Sequence, residues 1–348
     1  MLDPFPIKPP ALSVKLTQPL ADYLELPTLP QHAHEIFLFF YFYHILYTRI
    51  SPAISKRLFP TTYTNFPLRT KLNWDVHVVS LVQCLIVNAL ALYVCFCDEE
   101  RANMTRVERM HGYTGAIGMV QAAACAYFLW DSIICGYHID IFGIGFLAHG
   151  ISALVVFSFG FRPFVHYYGP TFVLYELSSP FLNFHWFFDK LNMTGSKAQL
   201  YNGILLLATF FGCRLVWGTY QSIRIFHDIY TIVQQEAVAP LTSTYTAKPI
   251  AGIPLDSNEE IMSYAGNKTI PLWLAITYLA SNLVLNALNW YWFEKMIAAV
   301  RKRFVPAKEK EDTIKVEVKS EKAKGKQKVS VDETEVRRRD PFNDANPQ

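Results

Sequence analysis

DVHVVSLVQCLIVNALALYVCFC, residues 75–97, decides the fold class. After Asp75 it reaches Cys97 without a Lys, Arg, Asp or Glu. At 1.5 Å per residue a helix of about 20 mostly apolar residues crosses the hydrocarbon of a bilayer, and this stretch is long enough. Its polar side chains, His77, Ser80, Cys84 and Asn88, recur at steps of three and four. They share one stripe of a helix, which gives the span a protein-facing side.

Working outward, comparable apolar runs lie at about 33–50, 113–135, 139–159, 164–184, 200–226 and 270–300. In hydrocarbon every backbone polar group must be satisfied within the segment, so these runs read as helices and not as strands. The expected fold is therefore an all-α integral membrane protein of about seven transmembrane helices. Composition alone does not require this. The distribution does, because charges are 18% of the chain and gather in short loops and at the C-terminal end.

The net charge of +3 misleads in the same way. From Arg301 onward 14 Lys or Arg stand against 10 Asp or Glu, so the tail carries +4 and everything before it about −1. Nothing here points to nucleic acid as a partner. Residues 301–348 alternate Lys and Glu with few large apolar side chains, and they are expected to remain a disordered, cytosolic tail. At the other end, residues 1–31 form a Pro-rich segment without the apolar core of a signal peptide. Residues 32–70 hold the first span and a loop, and 71–300 the main membrane domain.

Lys and Arg near the span ends set the orientation. Arg301-Lys302-Arg303 and the loop with Arg49, Lys56, Arg57, Arg69 and Lys71 fall on one side of a seven-span chain, read as cytosolic. Arg101, Arg106 and Arg109 run against that assignment. It places Asn103-Met-Thr and Asn267-Lys-Thr in the lumen as glycosylation sequons, and Asn192-Met-Thr in the cytosol. The six cysteines sit in or beside apolar runs and read as packing residues, so no metal site is expected.

A polar group inside a bilayer is costly unless it faces protein or water. Glu176, Ser179 and Asn183 stand at i, i+3 and i+7, and Arg214, Trp217 and Gln221 repeat that spacing. So do Asn282, Asn286 and Asn289, and His138 and His149 are three turns apart on one face. Two readings follow. In one, these residues are interhelical hydrogen bonds that hold the helices together, with Glu176 and Arg214 as an ion pair. In the other, His77, Ser80, His138, Glu176, Ser179, Asn183, Arg214, Asn286 and Asn289 line an interior polar cavity.

Several of these stretches resemble the TLC (TRAM, Lag1, CLN8) domain family. Trp74-Asp-Val-His77-Val-Val-Ser80 is similar to its opening motif, with His77 where the family usually has Arg and Gln83 where it has His. Gly112-Tyr113 and Asp131 match its third span, and His149-Gly150 falls where many members carry paired histidines. Glu176-Leu-Ser178-Ser179-Pro180-Phe181-Leu-Asn183-Phe-His-Trp186 resembles its E-x-S-x-P-F-x-N-x-x-W motif. Asn202-Gly203, Arg214 and Asn289-Trp290-Tyr291-Trp292-Phe293 resemble its end. The resemblance covers about residues 70–300. It implies a helical bundle around a lipid-accessible cavity, usually in the endoplasmic reticulum, with membrane lipid as the partner. It names no protein partner.

The family contains both acyltransferases and proteins that handle lipid or cargo, and fold does not choose between them. Acyl transfer to an amine needs a base or an imidazole nucleophile. His149 is the candidate, with Asp131 to orient it and acyl-CoA as the donor. The second histidine of a ceramide synthase is Gly150 here, and its further His-Asp and Asp positions hold Tyr168, Gly169 and Phe172. Ceramide synthesis is not expected. The leading expectation is a lipid-binding or lipid-regulating protein without a cofactor. An acyltransferase using His149 is the alternative, and a trafficking or cargo receptor a further one.

Overall fold

A computed structural model describes residues 1–238, 261–265 and 271–304. Asn267, most of the expected polar loop over 227–269 and the tail beyond Phe304 lie outside these residues. Every regular element among the described residues is a helix. The chain divides into two compact units, Met1–Ala287 and Leu288–Gln348.

The first helix, α1 (Ala11–Leu24), ends where Glu25 adopts the left-handed conformation, φ 55°. Next, α2 (Leu29–Ile45) starts on Pro30, whose missing N–H costs nothing in a first turn. It runs without a break through a π turn, Leu46–Ile50, into α3 (Ser51–Leu58). A short α4 (Pro60–Asn65) leads to the 30-residue α5 (Leu68–Cys97), which contains the quoted stretch. Asp98 caps α6 (Glu99–Ala102), and Thr105 and Glu108 form a reciprocal capping box on α7 (Arg106–His111). Thr114 caps α8 (Gly115–Tyr137). Then α9 (Ile139–Phe142) turns through Gly143, φ 84°, into α10 (Ile144–Phe159).

The segment expected as one span over 164–184 is broken. A 3-10 turn at His166–Tyr168 precedes α11 (Gly169–Val173), and a second 3-10 turn at Leu174–Ser178 precedes α12 (Ser179–Lys190). The reason is proline. Pro170 and Pro180 each lack an N–H, and each stands in the first turn of a new helix. Farther on, α13 (Lys197–Phe210) passes through a second π turn, Phe211–Trp217, into α14 (Gly218–Val238). The last helix is α15 (Leu272–Phe304).

Four helical stretches are long and apolar enough to cross a membrane: Leu68–Cys97, Arg106–Tyr137, Lys197–Gln235 and Leu272–Arg301. They correspond to the second, third, sixth and seventh expected spans. Ile144–Phe159 is apolar but shorter. Residues 29–50 are helical throughout, yet their tyrosines and histidines make them less apolar than these four. The sixth span also runs farther than expected. Ile225, Ile229 and Ile232 continue a buried stripe beyond Phe226, so residues 227–238 extend α14.

In the first unit α8 is the central helix. It packs against α2, α5, α10 and α11, and it is buried around nearly its whole circumference. Its small residues, among them Gly115, Gly118, Ala122, Ala123, Ala124 and Ala126, let those backbones come close. Outside, α5, α13 and α14 expose large apolar side chains such as Leu85, Phe96, Tyr201, Ile204, Tyr220 and Ile223. In water these would be a liability, and against lipid tails they are ordinary surface.

Candidate functional site

The break between α11 and α12 carries the polar residues. Because Leu174–Ser178 is a 3-10 turn leading into α12, Glu176, Ser179 and Asn183 stay on one face. The Ser179 hydroxyl donates to Glu176 Oε2 at 2.6 Å, and Asn183 Nδ2 donates to the Ser179 carbonyl at 3.0 Å. From the second π turn Arg214 reaches this face. Its Nη2 lies 3.3 Å from Glu176 Oε1 and 3.3 Å from Ser179 Oγ, and its Nε donates to the Tyr175 carbonyl and Ser178 Oγ, both at 3.1 Å. The arginine thus bonds the backbone of the 3-10 turn besides pairing with the carboxylate. Arg214 is 4% exposed at its side chain and Glu176 16%.

On the opposite side Asn183 joins α5. Its Nδ2 also donates to Ser80 Oγ at 3.1 Å, which makes Oδ1 the acceptor for His77 Nδ1 at 2.7 Å. His77 therefore carries its proton on Nδ1. Its ring stacks on Trp186 with centroids 4.1 Å apart. The result is one connected strip, His77–Asn183–Ser80 on one side and Ser179–Glu176–Arg214 on the other, joining α5, α12 and the π turn before α14.

The other expected residues are placed differently. His149 is half-buried on α10, edge-on to Phe128. Asp131 is buried on α8, with Cys135 Sγ 3.6 Å from its Oδ1. A Cβ on Gly150 would stand 3.1 Å from Asp131 Oδ2 and 2.9 Å from Ser132 Oγ. The glycine that replaces the second histidine is thus a place where α10 packs closely on α8. His138 ends α8 among Tyr137 and Phe142, apart from the strip. Asn286 Nδ2 donates to Ser222 Oγ at 3.0 Å and to the Asn282 carbonyl at 2.9 Å, which ties α15 to α14. Asn289 is buried farther along α15. Asn103 is exposed after α6.

Sequence reasoning missed the use made of three arginines. Arg109 Nε lies 2.9 Å and Arg106 Nε 3.2 Å from the carboxylate of Asp228, which also accepts from the Tyr168 hydroxyl at 2.7 Å. Arg101 is buried, donates to Thr171 Oγ1 at 2.9 Å and lies over the Tyr167 ring. These charges hold helices together, so counting them as loop charge overstated their weight in the orientation. The signal for Arg106 and Arg109 was Asp228, two residues beyond the expected end of a span.

Four helices long and apolar enough to cross a bilayer, large apolar side chains exposed on them and a buried charged pair mark an integral membrane protein. Residues 73–298 match the TLC domain, TRAM_LAG1_CLN8. The chain belongs to the TLC-domain family. It is 36% identical over 289 residues to an uncharacterized TLC domain-containing protein of Schizosaccharomyces pombe, covering 83% of this chain and 86% of that one. Identity to the topoisomerase I damage affected protein 4 of Saccharomyces cerevisiae is 27% over 284 residues, 79% and 87% of the two chains. Identity to human TLC domain-containing protein 4 is 31% over 201 residues, 53% and 74%.

Proposed function

We propose that this protein handles membrane lipid, binding it and influencing membrane lipid composition without transforming it, in the endoplasmic reticulum. In this reading residues 71–300 act as the lipid-handling domain. The helix at 29–50, α9 with α10, and the broken segment at 164–184 complete seven spans around a polar interior. The N-terminus then lies in the lumen and the 301–348 tail in the cytosol.

The observation that supports binding over chemistry is the internal commitment of the strip. Glu176 meets Ser179 and Arg214, Arg214 meets four protein groups, and Asn183 meets Ser80, Ser179 and His77. A charged pair held this way offers a headgroup a fixed polar surface.

A second reading keeps His149 as the base or nucleophile of acyl transfer, with Asp131 and an acyl-CoA donor. It draws on the position of Gly150, next to His149 in the chain, against the Asp131 carboxylate. One experiment separates the two: lipidomics of cells lacking the gene, complemented with wild type or with His149→Ala. Full restoration by the alanine variant supports binding. A stable variant that restores nothing supports acyl transfer. An unchanged lipid profile in the deletion would refute both.

A further inference from the structure

Asp3, His32 and Glu35 lie away from the Glu176–Arg214 strip, where the N-terminal segment meets the start of α2 and of α8. One ligand-type atom from each falls within 4.8 Å of the others. Glu35 Oε1 is 2.9 Å and Asp3 Oδ2 3.6 Å from His32 Nδ1. The side chains of His32 and Glu35 are fully buried, and Asp3, 28% exposed, closes the group on its outer side.

His32 Nε2 lies 2.6 Å from the Tyr113 hydroxyl, which also reaches Gln31 Oε1 at 3.2 Å. Nδ1 is the nitrogen that faces the two carboxylates, hydrogen-bonded to Glu35 Oε1 at 2.9 Å, a place that a proton or a metal ion can hold. Glu35 Oε2 is buried and has no hydrogen-bond partner. Two carboxylates and an imidazole nitrogen thus converge in a largely buried place; the Phe5 N–H donates to Asp3 Oδ1 at 2.9 Å, and Glu35 Oε2 is left with an acceptor capacity that a metal ion would satisfy.

We infer that Asp3, His32 and Glu35 bind a divalent transition-metal ion, Zn²⁺ or Mn²⁺, that staples the N-terminal segment to α2 and α8. One imidazole with two carboxylates is a donor set for these ions. Ligand bonds of about 2.1 Å put tetrahedral ligand atoms about 3.4 Å apart, and the two short separations here bracket that value. The Tyr113–Gln31 chain is the outer-shell support that orients a ligating imidazole. The surroundings are built to bring the ligands in. A Cβ on Gly118 would overlap the His32 ring, and a Cβ on Gly115, one turn earlier, would overlap the backbone of Asp3. His34 Nε2 donates to the Ile7 carbonyl at 2.7 Å and holds the segment that carries Asp3.

The test uses the full chain, purified in lipid nanodiscs, with metal content measured by elemental mass spectrometry. Wild type should hold about one Zn²⁺ or Mn²⁺ per chain. Glu35→Gln should lower the content, or the affinity on titration of the stripped protein with each metal alone, by roughly tenfold or more. Asp3→Asn, at the half-open edge, keeps the test valid if Glu35→Gln fails to fold, and it should weaken binding in the same sense. In stripped wild type each metal should raise the thermal unfolding midpoint, and in Asp3→Asn it should raise it less. A wild-type chain that takes up neither ion, or variants that bind both as tightly as wild type, would overturn the inference.

Discussion

Glu176→Ala leaves Arg214 buried opposite an empty space. Breaking a buried ion pair by removing one partner costs about 3–5 kcal/mol. Arg214 would keep the Tyr175 carbonyl, Ser178 Oγ and Ser179 Oγ, so the loss should fall at the low end, about 3 kcal/mol. Ser179 loses its acceptor as well, which opposes any gain from relaxation. At about 2–4 °C per kcal/mol, the unfolding midpoint in nanodiscs should fall by about 6–12 °C. Glu176→Gln combined with Arg214→Gln removes both charges and leaves amides able to use the same neighbours. The double variant should recover about 1–2 kcal/mol relative to the sum of the two single changes, the coupling a double-mutant cycle reads. If the singles and the double simply add, or if Glu176→Ala unfolds at the wild-type temperature, the pair is not holding this site together.

Orientation is checked by glycosidase treatment: a mobility shift should depend on Asn103 or Asn267, and a shift that vanishes with Asn192→Gln alone would reverse the topology. Truncation after Pro306 should leave a monodisperse membrane domain in detergent, since a charged tail of this composition adds no core; aggregation of the truncated chain alone would contradict this. Gly118→Ala should lower stability by about 1–3 kcal/mol, read as a lower midpoint, because the new methyl meets the buried His32 ring. An unchanged midpoint would show that α2 and α8 do not approach so closely there.

The spans written in uninterrupted apolar residues were legible. Val76–Cys97 offers no alternative to a long helix, and the helix is there. The pairing of Glu176 with Arg214 was also readable, since two opposite charges in apolar surroundings have few other ways to be neutral. The broken course of 164–184 was less so. Its prolines were visible, but a proline is compatible with a kinked helix as well as with a restart, and only tertiary packing decides. Asp3, His32 and Glu35 were hidden for a different reason. A residue on an N-terminal loop and two on a helix start carry no periodic signal, and their meeting depends on how closely Gly115 and Gly118 let backbone and ring approach α8. Asp228 was missed because its partners, Arg106 and Arg109, are more than a hundred residues away in sequence.

The π turn at Phe211–Trp217 makes the number of residues in this helix matter as much as their identity. Such a turn carries a residue in excess of the regular α repeat. Removing one residue there would let the backbone settle into ordinary i→i+4 hydrogen bonds, and because the residue removed is the one in excess, everything downstream would keep its phase about the helix axis. Ser222 would still face Asn286, and Asp228 still Arg109 and Tyr168. One turn away, in regular α-helix, the same deletion would rotate those contacts by about 100°. A single-codon deletion inside this window that spares Arg214 should therefore be far less harmful than one in the helix on either side.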